Sequence, residues 1–279
     1  MKRTALLLAT SLLLGLHPGV ASADLLATDW GDLSNLYRVD TTNGVATFIG
    51  ATGQTRMIGL VVDADSTIYA ISEEANSRLW TLDPLFGTAT LVGAIGFNLQ
   101  EGDMTIDAGT GTMYVADGIG DNLYTMNKAN GAPNLVGAFG ADGRDVSGLQ
   151  FIDGTLYGLA LRDGNPDILG TVDPATGAFT MIGETGTNCG TIAALGRDPV
   201  SGTTFMGCPD TEFGSDNQLY SLDLGTGDAT LVSAMAGVRA SISGFSVAGS
   251  PGILVPEPSN LLLLGSALAG LGWMRRRRG

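Results

Sequence analysis

The chain has 279 residues, 28 of them acidic against 14 basic, for a formal net charge of −14. Such a surface repels phosphate backbones and anionic headgroups, which excludes nucleic-acid binding and standing attachment to acidic lipid. Its one histidine is His17, so a Ser-His-Asp or Cys-His nucleophile system and imidazole-based metal sites are excluded beyond the N-terminal segment.

The chain opens with Met1-Lys2-Arg3, an apolar run from Ala5 to Leu16, the breakers His17-Pro18-Gly19 and the small residues Ala21-Ser22-Ala23. Charged, apolar, then A-x-A is the layout of a cleavable secretory signal, and the run is short of the ~20 residues a membrane span needs. Residues 1–23 are expected to be removed, leaving Asp24 as the N-terminus. Export to an oxidising compartment makes a disulfide between Cys189 and Cys208 the expectation, since they are the only two cysteines.

From residue 25 the chain repeats. Leu36-Tyr37-Arg38-Val39-Asp40 is followed by Gly44 and Gly50. The pattern returns at Leu79 to Asp83 with Gly87 and Gly93, and at Leu123 to Asn127 with Gly131 and Gly137. It returns again at Leu169 to Asp173 with Gly177 and Gly183, and at Leu219 to Asp223 with Gly227 and Ser233. Successive copies start 43, 44, 46 and 50 residues apart. Each Leu-led run reads as a strand, the Asp-x-x-x-Gly as a hairpin turn, and the next apolar run as the returning strand. A second hairpin precedes each pair, as in Gly59 to Asp63 with Thr67 to Ile71.

Four short antiparallel strands every 40–50 residues mark a propeller blade. The expected fold is therefore an all-β, five-bladed β-propeller over residues 24–250, its strands lettered a to d from the axis outward. Four blades are complete, near 57–96, 103–140, 147–183 and 190–235. The N-terminus supplies only strands b, c and d of the fifth, from Leu25-Leu26-Ala27-Thr28 onward. Residues 242–247 are expected to close the ring as its strand a, covering edges that would otherwise invite pairing. The repeat resembles the short Tyr- and Asp-Gly-rich propeller repeats of many secreted bacterial proteins, a resemblance that implies no activity.

Residues 251–279 form a linker and tail. Pro256-Glu257-Pro258 precedes an apolar segment, 261–274, and the chain closes with Arg275, Arg276, Arg277 and Arg278. An apolar stretch stopped by arginines reads as a short membrane stop with its cations on the cytoplasmic side. In this order the three parts resemble the PEP-CTERM sorting signal. That resemblance implies recognition and cutting near the motif by an exosortase-like membrane enzyme, in a Gram-negative bacterium that makes extracellular polysaccharide. It implies an exported protein of the cell surface or exterior, held at the inner membrane only transiently and only by the tail. Without the two ends the chain keeps 8 basic and 27 acidic residues.

Propeller topology puts the b–c and d–a loops on one face. The b–c loops carry eleven carboxylates, among them Asp29, Asp32, Asp117, Asp121, Asp163, Asp167, Asp210 and Asp216, and two aromatic rings suited to stacking on sugars, Trp30 and Phe213. These are candidate ligand-binding residues. Turn residues are commonly Asp and Asn in any case. Oxygen-rich loops of this kind suit Ca²⁺, although no EF-hand loop is present, and no other cofactor is expected. Three arginines, Arg56, Arg144 and Arg239, precede strand a in their blades. They are read either as an anion or sugar-acid pocket at the channel mouth or as braces paired with neighbours, such as Arg144 with Asp142 or Asp145. Trp80, at the Tyr position of strand c, is expected in a blade core. The leading expectation is a non-catalytic extracellular binding or structural protein associated with the polysaccharide matrix. The second is a carboxylate-dependent glycosidase or lyase, which would need two carboxyls about 5–9.5 Å apart across a cleft.

Overall fold

The structure, a computed structural model, describes residues 24–141, 143–190, 192–209 and 216–247. The signal segment, the PEP-type tail, Asp210 and Phe213 lie outside the described residues. Twenty strands follow one another among the described residues. Blade 1 takes β1 (Leu25–Trp30), β2 (Asn35–Val39) and β3 (Ala46–Ala51) from the N-terminus. Blade 2 is β4 (Met57–Val62), β5 (Ile68–Ser72), β6 (Arg78–Leu82) and β7 (Ala89–Ala94). Blade 3 is β8 (Met104–Ile106), β9 (Met113–Asp117), β10 (Asn122–Met126) and β11 (Pro133–Ala138). Blade 4 is β12 (Val146–Ile152), β13 (Thr155–Ala160), β14 (Ile168–Val172) and β15 (Phe179–Glu184). Blade 5 is β16 (Ala194–Arg197), β17 (Thr204–Pro209), β18 (Asn217–Leu222) and β19 (Ala229–Ala234). The last strand, β20 (Ser241–Val247), completes blade 1.

Each blade is one four-stranded antiparallel sheet, and the order in blade 1 is β20-β1-β2-β3. The ring therefore closes as the complementary ends demanded. Leu25 pairs with Val247 and Thr28 with Gly244, and after a bulge Trp30 pairs with Ser241.

Burial follows the repeat. Its leading leucine, at positions 36, 79, 123, 169 and 219, has no exposed surface in any of the five blades. Apolar clusters cross the joints between blades. One joins Phe205 and Leu219 of blade 5 to Leu25 and Phe245 of blade 1, and another joins Ile58 and Leu79 of blade 2 to Met104 and Val115 of blade 3. Trp80 lies in a blade core, with its indole N–H donating to Ser72 Oγ at 2.9 Å. The c–d turns close as the local chemistry requires: Asp40, Asp83, Asp173 and Asp223 each accept the backbone N–H two residues on.

The second glycine of the repeat has a different origin. A Cβ on Gly50, Gly93, Gly137 or Gly183 would fall on a backbone carbonyl oxygen in the c–d turn of the next blade, that of Phe86, Asn130, Thr176 or Thr226. These glycines let one blade's outer strand meet its neighbour's turn. At the fifth joint Ser233 takes the position and faces Gly44, whose missing side chain makes the room.

The outer strands expose a large apolar residue at the same repeat position in every blade, Phe48, Leu91, Leu135, Met181 and Leu231, and β19 exposes Val232 as well. All five carry a bulge at the same step of their pairing with strand c. A bulge twists an edge and spoils it as a template for further pairing.

Candidate functional site

One position sets the geometry of the loop face. Two residues before the repeat leucine stand Ser34, Ser77, Asp121, Asp167 and Asn217. In every blade the side-chain oxygen of this residue accepts a backbone N–H from the segment entering the next blade. Ser34 Oγ accepts Met57 N–H at 2.9 Å, Ser77 Oγ accepts Leu99 N–H at 2.9 Å, and Asp121 Oδ1 accepts Asp145 N–H at 2.9 Å. Asp167 Oδ2 accepts Cys189 N–H at 2.8 Å, and Asn217 Oδ1 accepts Ile242 N–H at 2.7 Å. The same residue's carbonyl accepts from the end of its own blade's strand d or just beyond, at Thr52, Ile95, Phe139, Thr185 and Met235. It is a latch between blades. A run of short oxygen-bearing residues at one repeat position was its signal in the sequence.

Several acidic candidates thus sit inside the structure rather than on the face. Asp29 is fully buried and accepts Asn35 N–H at 2.6 Å and the Tyr37 hydroxyl at 2.7 Å. Burial pushes its carboxyl up, and these hydrogen bonds only partly offset the rise. Asp117 is buried, accepts the N–H groups of Gln100 and Gly120, and is also raised by desolvation. Asp167 has no exposed surface and is pushed up to about 6 by burial. Asp32, Asp163 and Asp216 are the exposed ones. Among the described residues no three carboxylates are grouped so as to hold a metal ion.

The cleft that Arg144 lines includes neither Arg56 nor Arg239. Arg56 stacks on the Trp30 ring at 5.0 Å, and the Trp30 indole N–H donates to Glu73 Oε2 at 2.9 Å. One face of Trp30 is thereby covered. Arg239 stacks on Phe48 at 4.8 Å. Cation–π pairs of this kind brace neighbouring segments. Arg144 lies elsewhere, in a cleft of about 600 Å³ between blades 3 and 4.

That cleft is lined by Arg144 and Asp145 from the d–a loop, Arg162, Asp163 and Asn165 from the b–c loop of blade 4, and Glu184 at the end of β15. Leu161, Ile168 and Met181 add apolar surface. Arg162 is fixed by an ion pair with Glu184 at 2.9 Å. Arg144 makes no ion pair with Asp145 in this arrangement. Asp145 adopts a left-handed backbone conformation, φ 57°, which costs a non-glycine residue energy and is held by its latch to Asp121. Its Oδ1 is buried without a hydrogen-bond partner. Burial, and then the charges of Glu101, Asp121, Asp163 and Asp167, push this carboxyl up to about 8. Its surroundings therefore favour the protonated form. Its sequence position gave no warning of this, because the charges that surround it come from two blades.

Cys189 and Cys208 form a disulfide with Cα atoms 4.9 Å apart. Both are buried, and the bridge ties the segment latched by Asp167 to β17.

Residues 254–278 match the PEP-CTERM protein-sorting motif. The chain is an exported protein of the cell envelope, sorted as exosortase substrates are. No curated protein matches it in sequence. Among solved structures it is similar to a chain of a nidogen/laminin complex, with 14% identity, covering 82% of this chain and 99% of that one, at a TM-score of 0.53. It is similar to an engineered GH43 glycoside hydrolase with endo-xylanase and exo-arabinofuranosidase activity, with 12% identity over 76% of this chain and 53% of that one, at a TM-score of 0.52. It thus spans about half the length of the hydrolase chain. A third similarity, to TolB from Acinetobacter baumannii, has 12% identity over 82% and 67% of the two chains, at a TM-score of 0.46. At these identities the likeness is one of fold.

Proposed function

We propose that this protein is a non-catalytic binding or structural component of the cell surface, and that its ligand is a carbohydrate of the extracellular matrix held in the cleft between blades 3 and 4. The observation that carries the reading is the mixture of groups in that cleft. Arg144, Arg162 and Asn165 donate hydrogen bonds, Asp163 and Glu184 accept them, and Leu161, Ile168 and Met181 offer apolar surface. Hydroxyl-rich ligands with apolar ring faces need this combination. Binding requires no metal ion on this reading, so chelation with EDTA leaves it unchanged. The tail segment 261–274 would hold the chain in the inner membrane until an exosortase-like enzyme removes it.

A glycan array probed with the full chain tests the site. Binding that Arg144→Ala or Asp163→Ala abolishes supports it, and binding untouched by both substitutions refutes it.

One observation favours the second reading, a carboxylate-dependent carbohydrate-active enzyme. Asp145, its carboxyl pushed up to about 8, lines the same cleft as the exposed carboxylate of Asp163, an arrangement a general acid would need. Release of reducing ends from a polysaccharide, lost in Asp145→Asn, would establish that reading in place of the first.

A further inference from the structure

One wall of the cleft is the b–c loop of blade 4, which carries Arg162, Asp163 and Asn165. The loop is a tight turn, with Asn165 N–H donating to Arg162 O at 3.2 Å. Short polar loops shift easily unless their backbone groups are bonded elsewhere. Here the bonds come from three sources. Leu161 N–H donates to Asp145 O at 2.9 Å, which ties the start of the loop to the opposite wall. Arg162 N–H donates to Asp167 Oδ1 at 3.1 Å. Asn188, in the segment that enters blade 5, uses its side-chain amide twice: Nδ2 donates to Arg162 O at 3.1 Å and to Asn165 O at 2.9 Å. Its Oδ1 accepts Gly190 N–H at 3.0 Å, and donors on one side with an acceptor on the other fix the way the amide faces.

Asn188 is anchored by its neighbour. Cys189 is joined to Cys208 in β17, and its N–H donates to Asp167 Oδ2 at 2.8 Å. Asp167 thus holds the cleft loop with one oxygen and the bridged residue with the other. The joint itself does not require the covalent bond. The other four latches close at 2.7–2.9 Å, and the chain has no further cysteine to bridge them. What sets this joint apart is the loop that it grips. A loop already held in its binding shape need not be ordered by its ligand, which lowers the entropy cost of binding.

We propose that Asn188 and the Cys189–Cys208 bridge are positioning residues of the cleft, which hold the backbone of the blade 4 loop so that Arg162, Asp163 and Asn165 meet a ligand in one arrangement. Asn188 is not itself part of the cleft's lining. The proposal rests on the cleft being the binding site, but the restraint on the loop is measurable without any ligand.

The test is amide exchange read by NMR on the full chain. Asn188→Asp keeps the acceptor for Gly190 N–H and removes both donors, and Asn188→Ala removes them without adding charge. In either variant the N–H groups of Arg162 and Asn165 should exchange about tenfold faster or more, because the bonds that restrain the loop are gone. Gly118 N–H, which donates to Gln100 O in the b–c loop of blade 3, should keep its rate. The paired change Cys189→Ala and Cys208→Ala should have the same local effect below its own Tm, and the Asn188 variants decide alone if it does not fold. Unchanged exchange at Arg162 and Asn165, or an equal rise at Gly118, overturns the proposal. On a glycan array Asn188→Ala should weaken the parent's binding by about tenfold at an almost unchanged Tm, and undiminished binding also overturns the proposal. If the parent binds nothing on the array, the carbohydrate reading fails and the exchange rates still decide the role of Asn188.

Discussion

The latches on the two sides of the ring are built alike and charged differently. From blade 1 to 2 and from blade 2 to 3 the acceptor is a serine hydroxyl, Ser34 or Ser77. From blade 3 to 4 and from 4 to 5 it is a carboxylate, Asp121 or Asp167. The hydrogen-bond geometry is the same within a few tenths of an ångström, so the joint asks only for a short side chain with an oxygen. The choice of oxygen has consequences beyond the joint. The carboxylate latches raise the negative potential around blades 3 and 4, where the cleft, Asp145 and the disulfide also lie. A hydroxyl latch is indifferent to pH, whereas the Asp167 latch, pushed up to about 6 by burial, is not.

The largest effect should come from what both halves share. Gly93→Val and Gly137→Val each place a side chain on a backbone carbonyl that cannot move without parting two blades. Both should cost more than about 4 kcal/mol and leave little folded protein by circular dichroism. Tolerance of either would mean that the joints are looser than the close approach implies.

Next comes pH. The Asp145 and Asp167 carboxyls are raised to about 8 and about 6 in the fold, from about 3.9 unfolded. Between pH 4 and 8 the folded chain binds the extra protons, so their contribution is full near pH 4 and is lost as pH rises through 6 and then 8. Tm should be several degrees higher at pH 5 than at pH 8.5, and Asp145→Asn should flatten that slope. A Tm that climbs from pH 5 to 8.5 would refute this account of blades 3 and 4.

Reduction of the Cys189–Cys208 bridge should cost about 3 kcal/mol by loop-closure entropy, read as a lower urea midpoint. The thiols should become alkylatable only on unfolding, as both residues are buried. Reduction without unfolding in mild thiol would break that expectation.

On the neutral side, Ser77→Ala leaves Leu99 N–H without its acceptor. The loss should be about 1–2 kcal/mol and the same at pH 5 and pH 8.5. A strongly pH-dependent loss would erase the distinction between the two kinds of latch.

Much of the fold was legible because it is local and periodic. The Asp-x-x-x-Gly turns bond within four residues, the leucine spacing fixes the strands, and the unmatched ends at residues 25–28 and 242–247 leave one way to close the ring. The acidic candidates were legible only as residue types. Asp29, Asp117, Asp121 and Asp167 look like solvated turn residues in a row of Asp, Asn and Gly, yet all four hold backbone N–H groups in place.

The sequence by itself determined the C-terminal sorting motif, the repeat, the number of blades and the strand that seals them, since each rests on spacing along the chain or on hydrogen bonds between near neighbours. The tertiary structure alone decided which carboxylates are exposed, why the second repeat glycine is a glycine, and that Asn188 grips the loop lining the cleft. In each case the deciding atoms belong to a neighbouring repeat or to the segment that enters it: Cys189 N–H lies 22 residues from Asp167, and Asn188 lies 26 from Arg162. A carboxylate's burial and charge are set by whatever packs around it, and in a ring of blades that is the next copy of the repeat.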